Sequence, residues 1–135
     1  MNALGVDYGE RRTGVAVVDD ATRLAHPVEV IDSSKVDPVA RIAELVRELD
    51  AAVVVVGRPL SLAGHAGPAV EAQRAFLDNL KKEIDVPVEE FDERLTTVIA
   101  ERSMREAGAN RRRRRSGRDA VAAQIMLQDY IDSRD

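Results

Sequence analysis

Cysteine and tryptophan are absent from the 135-residue chain, and only two histidines, two tyrosines and two phenylalanines are present. The absence of cysteine excludes a disulfide framework, a thiolate zinc site and a cysteine nucleophile. Two histidines, His26 and His65, are too few for a histidine-rich metal site. Any bound metal would therefore take oxygen ligands, which favours Mg²⁺ or Mn²⁺. With so few aromatic residues, the core must be built from Val, Ile, Leu and Ala.

Long hydrophobic runs are also absent. The longest, Ala51–Val56, is far too short to span a membrane, and the first residues lack the basic-then-apolar layout of a secretion signal. We therefore expect a cytoplasmic protein with no membrane partner. The length, and the lack of repeats or low-complexity linkers, predict one domain covering residues 1–135.

The net charge of −4 argues at first against a nucleic-acid partner, but the cations are clustered. Arg111–Arg115 form an unbroken run, and Arg118 follows closely. Such a run either repels itself into a solvated loop or meets a polyanion. Arginine is the side chain best suited to forked contacts with phosphate. Composition alone leaves both interpretations open.

The hydrophobic pattern predicts five strands and four helices. The sequence predicts the strands at Ala3–Tyr8, Thr13–Val18, Leu24–Ile31, Ala51–Val56 and Val86–Phe91. It predicts the helices at about Asp37–Leu49, Pro68–Glu83, Thr96–Ala107 and Arg118–Ile131. The residues between the last two helices, including the arginine run, are predicted to form a loop. Three strands in a meander followed by α–β units indicate an α/β fold. We expect a mixed five-stranded sheet, with strands one, four and five parallel and helices on both faces.

Acidic residues follow two of the predicted parallel strands. Asp7 ends the first strand, and Asp92 and Glu93 end the fifth, at the edge where ligand sites collect in parallel sheets. Asp119 lies at the start of the last helix. Asp7 and Asp119 each have a simpler interpretation: Asp7 could form a turn before Gly9, and Asp119 could complement the helix dipole. Asp92 and Glu93 beside Arg94 could form a surface salt-bridge cluster, or Asp92 could help start the next helix.

The three positions taken together favour a metal site. If Asp7 and Glu93 come from neighbouring strand ends and Asp119 reaches in from its helix, the carboxylates converge. Two such charges about 5 Å apart repel by roughly 3 kcal/mol at an effective dielectric near 20. A divalent cation removes this repulsion and supports phosphodiester cleavage.

Four segments resemble the motifs of the YqgF/RuvX family, in the family's order. Asp7–Ala16 is similar to its D-[FY]-G-x-x-R-x-G-V-A opening, and Gly57–Leu60 to its G-x-P-L loop. Phe91–Thr97 resembles D-E-R-x-[ST]-[ST], and Asp119–Tyr130 resembles D-x-x-A-A-x-x-I-L-Q-x-Y. The resemblance covers essentially the whole chain. It implies an RNase H-like fold and a nuclease related to Holliday junction resolvases.

By motif position, the resemblance implies a catalytic and metal-binding set of Asp7, Glu93 and Asp119, with Asp92 as a further possible ligand. It implies Mg²⁺ or Mn²⁺ as the cofactor. The nucleic-acid-binding candidates are Arg12, Arg94, Arg111, Arg112, Arg113, Arg114, Arg115 and Arg118. The chain departs from the family at Gly117, where relatives carry a lysine two residues before the aspartate. A general cationic role of this segment survives the change.

The expected activity is hydrolysis of phosphodiester bonds in 5′-end processing of pre-16S rRNA, during ribosome biogenesis. The alternative is resolution of four-way DNA junctions, and a more remote one is a nucleic-acid-binding module without catalysis. A sugar-kinase or actin-like ATPase would need a second domain. The expected partner is thus structured RNA, pre-ribosomal RNA included, or branched DNA, bound by a monomer or a homodimer. Recognition of the backbone by arginines should be salt-sensitive.

Overall fold

The computed structural model describes residues 2–58, 68–92 and 111–133, with side chains at all of them except 58, 68–69, 92 and 111–119. The strands are β1 (Asn2–Asp7), β2 (Arg12–Asp19), β3 (Ala25–Asp32), β4 (Ala51–Arg58) and β5 (Val88–Asp92). The helices are α1 (Pro38–Glu48), α2 (Pro68–Glu83) and α3 (Arg111–Asp132). The helix predicted at Thr96–Ala107 lies outside the described residues. None of the described helices is long and apolar enough to cross a membrane.

The five strands form one mixed sheet in the order β3-β2-β1-β4-β5. β1 pairs antiparallel with β2, and β2 pairs antiparallel with β3. β4 runs parallel to both β1 and β5. The predicted mixed α/β sheet is therefore confirmed. The condition that Asp7 and Glu93 come from the ends of neighbouring strands is not met, because β4 lies between β1 and β5.

Alternation along β1 sends side chains to two separate cores. Leu4 and Val6 pack with α1 and α2 on one face of the sheet. Ala3 belongs to the other core, where it packs with Met126 and Leu127 of α3. Because strand side chains alternate with a period of two, Gly5 and Asp7 share the face of Ala3. The predicted arrangement of helices on both faces is confirmed.

The start of α1 shows how local sequence sets an element boundary. Asp37 caps the helix by accepting a hydrogen bond from the Val39 amide, at 3.3 Å. Pro38 occupies the first turn, where its missing N–H leaves no hydrogen bond unmade. Val39, Ile42 and Leu45 then recur on the buried side. The prediction of a helix opening at Asp37-Pro38 is confirmed.

The last helix differs most from the prediction. α3 begins at Arg111, so Arg111–Arg115 form the first turns of a helix and not a loop. Arginine is a good helix former, and the run continues a segment whose later turns are packed on the sheet. The loop prediction relied on the repulsion between like charges and missed this tertiary support.

The edge strand β3 is irregular. Val15 pairs with Glu29 but Ala16 pairs with Pro27, so Val28 is an extra residue in β3 and forms a β-bulge. Pro27 lies within the same strand and has no backbone N–H. Both features are typical of an edge strand that is protected against further pairing.

Gly5 allows α3 to lie close against the middle of the sheet. A Cβ atom at Gly5 would be 2.9 Å from the Leu127 Cβ and 3.3 Å from the Ala123 carbonyl oxygen. Both distances are shorter than ordinary van der Waals contact, and the carbonyl belongs to the helix backbone. The helix would have to move to accept any side chain here.

We therefore expect Gly5→Ala to lower the free energy of unfolding by about 1–3 kcal/mol, the usual effect of overpacking a core. Urea denaturation with an unchanged m-value would measure it. Ala52→Val is the control and should keep the wild-type free energy of unfolding. Ala52 lines an open cleft at the edge of the sheet where β1 begins, so an added side chain has room there. Equal stability of Gly5→Ala and the wild type would contradict the close packing of α3 on β1.

Candidate active site at the carboxyl edge of the sheet

Asp7 is the last residue of β1 and lies on the face of the sheet that α3 covers. It is half-buried, and it pairs with Gly14 of β2, which contributes no side chain next to the carboxylate. The following turn is tight at Gly9, where a Cβ atom would lie 2.4 Å from the Arg12 carbonyl oxygen. This turn therefore requires glycine, and it fixes the direction in which the chain leaves Asp7.

The course of α3 brings its N-terminal half toward Asp7. At its C-terminal end Tyr130 lines a cleft with Asn2, the first residue of β1, and donates a hydrogen bond to Glu89 near the start of β5. Further back along the helix, Ala123 contacts the Gly5 position. Asp119 precedes Ala123 by one helical turn, about 6 Å, and Asp7 follows Gly5 by about 7 Å of strand. The backbones of β1 and α3 therefore bring Asp7 and Asp119 to the same edge.

The other predicted acidic residues belong to the end of β5. Asp92 is its last residue and pairs with Arg58 of β4, with its side chain outside the described part of the structure. Glu93 and Arg94 lie beyond the described residues. Phe91 packs edge-to-face on Tyr130, at 5.9 Å between ring centroids, so it lies on the α3 face. Within the described residues, no three acidic or histidine side chains form a metal-binding group.

The predicted basic residues approach the same edge from two elements. Arg12 begins β2, where it is exposed and pairs with Asp32 of β3. Arg115 precedes Ala123 by eight residues and Arg111 precedes it by twelve. At 1.5 Å per residue, the arginine run therefore lies roughly 5–11 Å past Asp7 along the helix axis. Arg118 lies in the helix next to Asp119. The structure therefore places the arginine run beyond the strand ends, on the side of Asp7.

Helix α2 packs against this edge from the opposite face of the sheet. Tyr8, next to Asp7, stacks on Phe76 with ring centroids 4.4 Å apart. Burial, and secondarily the nearby Glu10, raise the pKa of the Tyr8 hydroxyl above its usual value. The buried Gln73 donates a hydrogen bond of 2.6 Å to the carbonyl of Gly57, near the end of β4. These contacts hold the ends of β1 and β4 in place.

Two contributors to this edge were missed from the sequence. Gln73 lies within the helix predicted at Pro68–Glu83, and its buried amide needs a specific hydrogen-bond partner. Ser33 follows β3 and lines a cleft beside Arg11 and Arg12. The sequence indication for Ser33 is its position directly after β3, because β3 pairs with β2 and Arg12 begins β2.

The fold and the acidic strand end define an α/β protein of the RNase H-like class. The fold matches that of Thermus thermophilus RuvC, with a TM-score of 0.63 and 17% identity over 99% of this chain and 96% of that one. Residues 1–133 match the family described as "RuvX: Holliday junction resolvase". The chain belongs to this family, which confirms the resemblance and the RNase H-like fold predicted from the sequence.

Two relatives carry one and the same name, "Putative pre-16S rRNA nuclease". The one from Chloroflexus aggregans is 45% identical over 97% of this chain and 93% of its own length. The one from Nocardia farcinica is 44% identical over 97% of this chain and 77% of its own length. The similarity therefore covers both motifs that carry Asp7 and Asp119.

Proposed function

We propose that the chain is a metal-dependent nuclease that cleaves phosphodiester bonds in the 5′-end processing of pre-16S rRNA. The observation that carries the proposal is the approach of Asp7 at the end of β1 and Asp119 in the N-terminal half of α3 to one edge of the sheet. The nuclease class agrees with the description of the family and with the names of the relatives. The proposed substrate, pre-16S rRNA, agrees with the names of those relatives.

We assign Asp7, Glu93 and Asp119 as the catalytic and metal-binding carboxylates. Glu93 follows Phe91 by two residues, and Phe91 lies on the face that holds Asp7. The motif position supports Glu93 as the acid from this segment, because the adjacent Asp92 has an alternative role in starting the next helix. β1 and β5 are two strand spacings apart, about 10 Å, a separation that two carboxylates sharing a cation can bridge.

The donor set fits a hard divalent cation. Carboxylate oxygens are the ligands that Mg²⁺ and Mn²⁺ take, and the chain contains no cysteine to favour a softer metal. When bound, such an ion lowers the pKa of a water molecule and stabilises negative charge on phosphate oxygens. Asp7, Glu93 and Asp119 would hold it.

The remaining residues act on the nucleic acid. Arg12, exposed at the start of β2, would orient the phosphate near Asp7, and Arg94 would do so from the segment after β5. Arg111–Arg115 and Arg118 would hold the backbone further along the strand. Forked arginine contacts bind phosphate without reading the base, which suits a substrate recognised by its shape.

Cleavage of four-way DNA junctions is the second candidate. The description of the family supports it, as does a structure of Thermus thermophilus RuvC in complex with a Holliday junction substrate, 21% identical to this chain with a TM-score of 0.56. Two-strand cleavage of a junction would require a symmetric dimer, whereas end processing of RNA requires one active site.

A cleavage panel separates these functions. Structured RNA carrying a 5′ extension, single-stranded RNA and a four-way DNA junction are each incubated with the protein and Mg²⁺ or Mn²⁺. We expect cleavage of the structured RNA and none in EDTA. Preferential cleavage of the junction would support the second candidate. Binding to all three without cleavage of any would leave only a nucleic-acid-binding module.

A further inference from the structure

Helix α2 carries a buried polar side chain among the apolar residues that face the sheet. Gln73 is 4% exposed, and Phe76, Leu77 and Leu80 of the same helix are buried in the core. A polar group in such surroundings costs free energy unless its hydrogen bonds are made. An apolar residue would fit the pattern of the helix equally well. The amide of Gln73 therefore has a purpose other than packing.

The Gln73 side chain binds the backbone of β4 at the carboxyl edge of the sheet. Its Nε2 atom donates a hydrogen bond of 2.6 Å to the carbonyl oxygen of Gly57. β1 pairs with β4 as far as Val6 and Val56, so Gly57 is the first residue of β4 past that ladder. On the other side of β4, Gly57 still pairs with Phe91 of β5.

The carbonyl of Gly57 is directed toward β1. The N–H and C=O of one strand residue point to the same neighbouring strand, and the direction alternates from residue to residue. The Val54 amide donates a hydrogen bond of 2.9 Å to the Pro87 carbonyl, directly before β5. Val54 therefore faces β5, and Gly57, three residues later, faces β1. Gln73 supplies the donor that the next amide of a longer β1 would supply.

The Gly57 position lies beside Asp7. Extending the register of β1 and β4 by one residue places Gly57 next to Asp7, which pairs with Gly14 on its other side. Val55 belongs to the core under α3, so alternation puts Gly57 on the same face of the sheet as Asp7. The end of β4 is therefore the backbone that borders Asp7 on the side of β5.

The end of β4 also separates the two strands that lead into the assigned carboxylates. Asp7 ends β1, Glu93 is assigned from the segment after β5, and β4 lies between these strands. The residues of a metal site have to be held within about 0.5 Å of their working geometry. Residues that orient the ligands typically change metal affinity or activity 10–100-fold when they are replaced.

We propose that Gln73 is a positioning residue of the nuclease site, which fixes the end of β4 beside Asp7 and so tightens the binding of the divalent cation. The inference rests on the proposed nuclease function. α2 packs on the face of the sheet opposite to α3, so Gln73 touches neither the cation nor the nucleic acid. It acts through the backbone of β4.

Removal of the side-chain donor tests the proposal. Gln73→Met and Gln73→Leu keep a good helix former that suits the core, but neither can donate to the Gly57 carbonyl. Electron paramagnetic resonance measures Mn²⁺ binding to the full chain, and the site is defined as the binding that Asp7→Asn abolishes. We expect about tenfold weaker Mn²⁺ binding in both variants. Cleavage of structured RNA should need about tenfold more Mn²⁺ and should reach the wild-type rate at saturating Mn²⁺.

Leu80→Val separates positioning from a general loss of stability. Leu80 is fully buried about two turns further along α2, away from the carboxyl edge. The smaller side chain should lower the urea midpoint and leave Mn²⁺ affinity unchanged. Wild-type Mn²⁺ affinity in both Gln73 variants, or an equal loss in Leu80→Val, would overturn the proposal. So would a wild type without Asp7-dependent Mn²⁺ binding. Weaker Mn²⁺ binding in the Gln73 variants, with no cleavage of RNA or junction by the wild type, would support positioning by Gln73 and overturn the nuclease function.

Discussion

Replacing Asp7 with asparagine should reduce Mn²⁺-dependent cleavage by at least about 1,000-fold while leaving nucleic-acid binding largely intact. Asparagine keeps the size of the side chain at the end of β1 but removes the charge proposed to hold the cation. Loss of about 4 kcal/mol of transition-state stabilisation corresponds to roughly this factor. Single-turnover cleavage at saturating enzyme would measure the rate, and anisotropy titration of the same probe in EDTA would measure binding.

Asp19→Asn provides a matched control for this experiment. Asp19 also ends a strand on the same sheet, but it pairs with Asn2 at the opposite edge and accepts a hydrogen bond from the Ala21 amide at 2.9 Å. The asparagine oxygen can accept the same bond, so wild-type cleavage is expected. Cleavage by Asp7→Asn at the wild-type rate would exclude Asp7 from the active site.

Changing all of Arg111–Arg115 to glutamine should weaken binding to structured RNA on the order of 100-fold at 50 mM salt. If each arginine neutralises one phosphate, the slope of log affinity against log salt falls by about 0.9 for each arginine replaced. α3 should persist, because glutamine is also a good helix former and the cations oppose the helix dipole at the N-terminus. Titrations at several salt concentrations measure the slope, and circular dichroism measures the helix content.

Lys81→Gln with Lys82→Gln serves as the comparison. Both lysines are exposed in the last turn of α2, and α2 reaches the carboxyl edge of the sheet at its other end, through Gln73. Their replacement should change the salt slope by less than about 0.9, the value for one neutralised phosphate. A slope in the arginine variant equal to that of the wild type would show that the run does not bind the nucleic acid.

Local sequence patterns predict much of the fold. The continuous apolar run at Ala51–Val56 forms the first six of the eight residues of β4, and α2 has the predicted bounds of Pro68–Glu83. Alternation in β1 and a capped proline start in α1 are local signals, so they can be read without knowing the neighbours. At most of the predicted ends, the strands of the structure extend one or two residues further. Pairing with the adjacent strand decides where a strand stops, and apolar content does not.

The order of strands and the course of α3 could not be read in this way. The residues of β4 do not indicate that β4 lies between β1 and β5, because the strand order depends on which surfaces fit together in the folded sheet. The helical state of Arg111–Arg115 depends on later turns of α3 that pack where Gly5 leaves room. For the active site, the sequence predicts Asp7 and Asp119 as partners, but their approach to one edge depends on this tertiary packing.

The bulge and proline of β3 constrain how two molecules could assemble. A second molecule that extended the sheet at this edge would need an evenly spaced row of donors and acceptors. Val28 breaks that spacing and Pro27 lacks one donor. A two-fold pair of active sites, which cleavage of both strands of a junction demands, would therefore not be joined by a continuous sheet through β3.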